Sequence, residues 1–273
     1  MNAGFGLRVP HYEELIVRGT RASFVEAVSE NFLGRGGRPR HLLERIRRDA
    51  RLALHGVSLS IGSVDPLNCD YVAELASLAR ECEATLVSDH LCFASIGGHY
   101  AHDLWPLPYT DEALEWVVDR ARAVAARLPC PFLLENVSSY VEYEASTLSE
   151  WEFLGEVCER ADIGILLDLN NVVVSAKNHG FSAEKYVDAL PRGRVLQIHL
   201  AGHTDWGTHA IDDHASAVSD EVWSLYRRAL QRFGPVPTIV EWDDAIPPLA
   251  TLEAEASKAA TLQKQQAHVS GGS

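Results

Sequence analysis

The stretch Ile163-Gly-Ile-Leu-Leu-Asp-Leu-Asn-Asn171 is apolar without interruption until its last residues, then turns polar within one step. A strand with one wet face alternates apolar and polar side chains, whereas a continuously apolar run is the pattern of a parallel strand covered on both faces. The segment Pro131-Phe-Leu-Leu-Glu-Asn136 has the same form. Working outward from these two, β-rich apolar runs occur at Phe5–Val9, Ser23–Ser29, Leu52–Ile61, Thr85–Cys92, Phe132–Val137, Ile163–Leu169, Val195–Leu200 and Thr238–Trp242. Amphipathic stretches of helical length follow them at 10–19, 38–50, 66–82, 111–128, 148–160, 182–190, 219–233 and 250–266. Thr110-Asp-Glu and Ser149-Glu-Trp-Glu add helix starts with acidic first turns, which the helix dipole favours. Eight strand-then-helix units predict an α/β fold, a single (β/α)8 TIM barrel over 1–266, with a disordered polar tail at 267–273.

Composition narrows the function. The 273 residues carry a formal charge of −14, which argues against a nucleic-acid partner, since such proteins present a basic stripe to phosphates. Five scattered cysteines without a CxxC pair suit a reducing compartment. No apolar run approaches the ~18 residues of a membrane span, and the N-terminus has no signal-peptide pattern. The expectation is a cytoplasmic protein with no membrane partner.

The ionisable residues fall at the C-terminal ends of the runs: His55; Asp89 and His90; Glu135 and Asn136; Asp168, Asn170 and Asn171; His199 and His203; then Glu241, Asp243 and Asp244. Asp212-Asp213-His214 follows in the loop beyond the seventh run. In a (β/α)8 barrel these ends converge on one mouth, where active sites are built. Several carboxylates crowded there would repel one another and take up protons unless cations neutralised them, and no Lys or Arg is expected at these ends. Imidazoles interleaved with carboxylates suit Fe, Mn or Zn, and a carboxylate on a middle strand can bridge two ions. Singly, His55 reads as a core histidine, Asp168 as a helix cap and Glu241 as an ion-pair partner; jointly, six consecutive strands ending in His, Glu or Asp point to a metal cluster. His11, His41 and His268 read as surface residues, and His99, His102 and His209 as loop residues. His179 reads as a substrate or outer contact in the loop after the sixth strand, and Cys92 as barrel packing.

These residues carry a resemblance. The segments HGVSLSIG (55–62), SDHL (88–91), ENVSSY (135–140), DLNNVVVSAKNHG (168–180), IHLAGH (198–203), Asp212-x-His214 and EWD (241–243), with GFGLRVPHY (4–12) and SENF (29–32), resemble the multinuclear non-haem iron-dependent oxidative enzymes. That family includes the methanobactin oxazolone-forming enzyme and the cysteine-trimming enzyme of thiaglutamate biosynthesis. The likeness spans roughly residues 4–248. It implies a xylose-isomerase-like barrel holding two or three Fe ions, mixed Fe(II)/Fe(III), with O2 as co-substrate. His55, His90 and Glu135 would hold the first ion. Glu135 would bridge to a second, completed by Asp168, His199 and Glu241. A third would sit near Asn171, Asp212 and His214, weakened because an amide oxygen stands where the related nuclease site uses a histidine. His203 and Asp243 are the acid/base candidates, and His179, Asn136 and Asn170 the substrate contacts. The implied reaction is oxidation of a cysteine in a ribosomally made precursor peptide, presented by a small leader-binding partner protein. The competing readings are a Zn- or Mn-dependent hydrolase or isomerase of the endonuclease IV or xylose isomerase type, and a non-catalytic metal-binding scaffold. The acidic charge weighs against the nuclease, the lack of a strand-end lysine against the sugar isomerase.

Overall fold

In the computed structural model, which describes residues 3–34 and 36–270, eight parallel strands close into one barrel. They are β1 (Ala3–Gly6), β2 (Phe24–Val28), β3 (Arg51–His55), β4 (Val87–His90), β5 (Phe132–Glu135), β6 (Gly164–Asp168), β7 (Val195–Leu200) and β8 (Thr238–Val240). Each strand pairs with its sequence neighbours, and β1 closes the circuit against β8 through Phe5 opposite Val240. The helices are α1 (Tyr12–Arg18), α2 (Arg38–Ile46), α3 (Cys69–Glu81), α4 (Asp111–Ala125), α5 (Glu150–Ala161), α6 (Leu169–His179), α7 (Ala183–Ala189), α8 (Asp220–Phe233) and α9 (Leu249–Ser270). The barrel and its connectivity are those the apolar runs predict.

Alternation along each strand divides the side chains into two sets. One set meets the helices in the main core; the other faces the barrel axis, where Phe24, Ala53, Leu86, Leu133, Leu166 and Ile239 form a separate buried cluster. Two residues further along the same strands stand Glu26, His55, Ser88, Glu135, Asp168 and Glu241, all buried. An apolar plug thus lies directly beneath a polar layer at the mouth.

Several expectations need correction. The first strand spans Ala3–Gly6 rather than Phe5–Val9, because Pro10 belongs to a 3-10 turn over Val9–His11. His11 is buried, not on the surface, with its Nε2 2.8 Å from the Pro247 carbonyl. The segment after β6 is a helix, so His179 ends α6 instead of lying in a loop. The Asp168 side chain accepts from the Asn171 N–H at 2.6 Å to start α6, and Gly180 (φ 76°), in the left-handed region a glycine adopts without strain, ends it. The run Val172-Val-Val174 has strand composition, but the cap and packing override that preference. Helix α9 continues to Ser270, four residues into the expected tail; 271–273 and the side chain of His268 lie outside the described residues. An antiparallel hairpin, Phe93–Ile96 with His99–Trp105, was not anticipated and sits between β4 and α4; the His102 side chain is likewise outside the described residues. His41, His99 and His209 are exposed.

Candidate metal centre

Parallel register brings the polar layer together. His90 stands opposite Glu135 across β4 and β5, and Asp168 opposite His199 across β6 and β7. The His55 and His90 Nε2 atoms lie 3.3 and 3.4 Å from Glu135 Oε2. The other oxygen, Oε1, lies 3.3 Å from His199 Nδ1. That same Nδ1 is 3.1 Å from Glu241 Oε2 and 4.0 Å from Asp168 Oδ2. Glu135 therefore reaches two groups with its two oxygens, one with His55 and His90, the other with Asp168, His199 and Glu241. A third group joins His214, Glu241 and Asp243. In each group the ligating atoms lie within 4.8 Å of one another, so one ion could contact all of them.

The outer contacts of the histidines decide which nitrogen is presented. His55 Nδ1 is 2.8 Å from Ser88 Oγ and His90 Nδ1 3.2 Å from the Gly56 carbonyl, leaving both Nε2 atoms toward Glu135. Gly56 itself has no room for a side chain, since a Cβ there would come within 2.3 Å of Asp89 Oδ2. Asp89, expected with His90 at the strand end, faces away from the cluster; it accepts from the Leu59 N–H at 3.2 Å and lies 3.5 Å from the Tyr71 hydroxyl.

The electrostatics are those of a cluster that could hold cations. Burial pushes the Glu135 carboxyl up to about 7, against the pull of His199. Burial, with Glu135 beside it, does the same to Asp168, also to about 7. Burial and the neighbouring His90 and His199 hold His55 well below its ordinary value. His199 is held well above it, because Glu241, Glu26 and Glu135 outweigh the opposing effect of burial. Buried polar atoms are normally satisfied, yet Glu135 Oε2, Asp168 Oδ2, Asn171 Oδ1 and His199 Nδ1 are buried without a hydrogen-bond partner. Glu135, Asp168 and His199 belong to the ligand groups above, which fits cation ligation.

The residues around the third group differ in part from expectation. His214 Nε2 lies 2.8 Å from Asp212 Oδ1, as the Asp-x-His pair implies, but its Nδ1 faces Asp243 Oδ2 at 2.9 Å and Glu241 Oε2 at 3.6 Å. Asp243, expected to handle protons, thus also lies where it could be a ligand. Asn171 donates to the Asn136 carbonyl at 3.0 Å and keeps its oxygen free. Asn136 is fully buried and clamps the Asp168 backbone, donating to its carbonyl and accepting its N–H, both at 2.9 Å. Asn170 donates to Asp212 at 2.7 Å and lies 2.8 Å from His203 Nδ1, linking the helix start to the loop. Both asparagines hold neighbours in place and leave little polar surface for a substrate. His179, with its Nε2 2.9 Å from the Ser139 carbonyl, lines a cleft of about 570 Å³ with Tyr109, Tyr143, Trp151 and Phe181. Cys92 is buried and burial pushes its thiol up, as packing requires.

Three side chains at the candidate site escaped sequence reasoning. Arg8 corrects the expectation of a mouth without cations: its Nε donates to Asp243 Oδ1 at 2.7 Å and its Nη2 lies 3.4 Å from Glu241 Oε1. It takes the outer oxygens of two carboxylates whose inner oxygens face His214. Glu26 and Gln197 lie behind His199. The signal that finds Glu26 is its place two residues after the buried Phe24, on the same face of β2.

The barrel resembles several solved structures over nearly its whole length. L-ribulose 3-epimerase matches with a TM-score of 0.65 at 13% identity, covering 99% of this chain and 97% of that one. D-psicose 3-epimerase from Clostridium cellulolyticum matches at 0.61 and 12%, covering 97% and 99%. Endonuclease IV from Thermus thermophilus matches at 0.60 and 14%, covering 98% and 99%. The closed eight-stranded barrel thus belongs to the fold class those structures share. Within that class, the profile described as RiPP precursor modification enzyme MbnB/TglH/ChrH matches residues 2–264, and the chain belongs to this family of peptide-modifying enzymes. A UPF0276 protein from Anaeromyxobacter sp. (strain Fw109-5) is 54% identical over 260 residues, 95% of this chain and 92% of that protein. A UPF0276 protein from Caulobacter vibrioides (strain NA1000 / CB15N) is 47% identical over 253 residues, 92% of this chain and 90% of that protein. No helix among the described residues is long and apolar enough to cross a membrane.

Proposed function

We propose that this enzyme is a multinuclear non-haem iron oxidase that uses O2 to modify a cysteine of a ribosomally made precursor peptide. The observation that carries the reading is the sharing of Glu135 and Glu241 between adjacent ligand groups, which lets neighbouring ions act on one substrate. His55, His90 and Glu135 would hold one iron, and Glu135, Asp168, His199 and Glu241 the second. A third site would draw on His214 Nε2 with Asp212 and Asn171, leaving His214 Nδ1 to face Asp243 and Glu241. Iron with O2 supplies the oxidising power to remove hydrogen from a cysteine β-carbon, and a thiolate is a soft ligand suited to an open iron position.

The protein's own groups supply positioning and proton handling. Arg8 and His214 hold Asp243 at opposite oxygens, so a proton on His214 Nδ1 has a carboxylate acceptor 2.9 Å away. His203, anchored on Asn170, is the second acid/base candidate at the rim. The aromatic cleft beside His179 adjoins the loop that leaves β5 at Glu135, and it offers apolar walls to residues flanking the cysteine. A small leader-binding protein would deliver the peptide. The five free cysteines suit a reducing cytoplasm, where a substrate thiol also stays reduced.

The test is turnover of a Cys-containing peptide encoded beside this gene, with and without O2, followed by mass spectrometry. The expected result is O2 consumption matched by a mass change confined to the cysteine. Modification that proceeds without O2 on zinc- or manganese-loaded enzyme would overturn the oxidative reading.

A further inference from the structure

Histidine can bind a metal through either ring nitrogen, and the partner of the other nitrogen fixes the choice. At His199 that partner is a carboxylate from the opposite side of the barrel. Glu26 Oε1 lies 2.9 Å from His199 Nε2, with both side chains at most 2% exposed. The second oxygen, Oε2, accepts from the amide nitrogen of Gln197; that nitrogen lies 3.0 Å from His199 Nε2, so two neighbouring donors share the one carboxylate. Nε2 is thus enclosed by two polar side chains beneath the cluster, while Nδ1 faces the carboxylates of Glu241 at 3.1 Å, Glu135 at 3.3 Å and Asp168 at 4.0 Å. Glu26 belongs to none of the three ligand groups. A buried carboxylate on β2 needs a reason to be there, since an unpaired one beside the apolar plug would be costly.

We infer that Glu26, held by Gln197, is a positioning residue that keeps the Nε2 proton on His199 and so presents Nδ1 as the ligand to the Glu135/Asp168/His199/Glu241 ion. The inference rests on the metal-centre reading above. It assigns selectivity: the ion held by His55 and His90 has its own outer partners, Ser88 and Gly56, and does not depend on Glu26.

The experiment is anaerobic Fe(II) titration of the metal-stripped full chain against a chromophoric chelator, for the wild type, Glu26→Gln and Glu26→Ala. Removing such an outer partner typically weakens metal binding ~10- to 100-fold. The expected result is that loss at one of two iron sites, with the other unchanged. Glu26→Gln, nearly isosteric, should keep the wild-type circular dichroism spectrum. With Zn(II) in place of iron, nitrogen NMR of labelled histidine should show His199 with Nε2 protonated and Nδ1 bound in the wild type, and that signature lost in Glu26→Gln. Undiminished affinity at both sites, or equal weakening at both, would overturn the inference. Failure of the wild type to bind Fe(II) would instead overturn the metal-centre reading, so the two failures are distinct.

Discussion

Two layers of the barrel interior, separated by two residues on each strand, obey opposite rules. In the lower one, Leu133, Leu166, Ala53, Ile239 and Phe24 pack into an apolar plug. In the upper one, Glu135, Asp168, His55, Glu241 and Glu26 occupy the same faces of the same strands, and Glu135 and Asp168 each leave a buried oxygen without a partner. The lower layer is optimised for packing, where every methylene contributes. The upper layer is poor packing and poor solvation by itself, and makes sense when cations complete it. On the proposed reading stability and function are stacked rather than mixed, and substitutions in the two layers should give separable results.

The largest effect is expected from Glu135→Ala. Removing the shared carboxylate should cost at least one iron and all turnover while the barrel stays folded, checked by metal analysis and circular dichroism. Retention of the full metal content would break the ligand assignment. Asp243→Asn should keep the irons bound through Glu135 and lose rate by ~100-fold or more, as expected for removal of an acid/base group. An unchanged rate would leave Asp243 as a ligand or an Arg8 partner alone. Leu133→Ala sharpens the comparison from below: it should cost about 2–5 kcal/mol in denaturant unfolding while leaving iron per chain at the wild-type value.

The smallest effect is a pH dependence of the metal-free protein. Burial raises Glu135, Asp168 and Asp89 to about 7, above their values in the unfolded chain, so their contribution to stability is present at low pH and lost as pH rises toward 7. His199 and His214 are held above their ordinary value by carboxylates, so their contribution is present below the unfolded value and lost as pH rises through the raised one. His55, lowered by burial, opposes this trend. The metal-free protein should therefore have a lower Tm at pH 8 than at pH 5.5. Iron loading should reverse the slope, because the ligands must shed protons to bind. Equal slopes with and without iron would argue that the upper layer does not bind it.

The fold was legible because buried parallel strands are continuously apolar, as in Ile163–Leu169, and because the residues that end them change character abruptly. The ligand candidates were legible for the same reason: His55, His90, Glu135, Asp168, His199 and Glu241 sit where apolar runs stop. Glu26 was hidden because it lies in the middle of a run, followed by Ala27 and Val28. Only the alternation from Phe24 marks it. Arg8 was hidden because the first run reads on to Val9, whereas the strand ends at Gly6 and the guanidinium folds back over that glycine, where a Cβ would lie 2.5 Å from Nη1. Burial of His11 depends on the Pro247 carbonyl, 236 positions away, and no local pattern reports such a contact. Asp168 shows that two readings of one residue can both hold, since one oxygen caps α6 while the other turns into the cluster.

If the upper layer is an iron cluster, the metal content of the full chain purified without chelator reports it most directly, together with Mössbauer spectroscopy of an iron-57 sample. The expected result is two or more iron per chain, with coupled ferrous and ferric signals that disappear together in Glu135→Ala. Zinc or manganese alone, or iron at one per chain with an isolated spectrum, would contradict it.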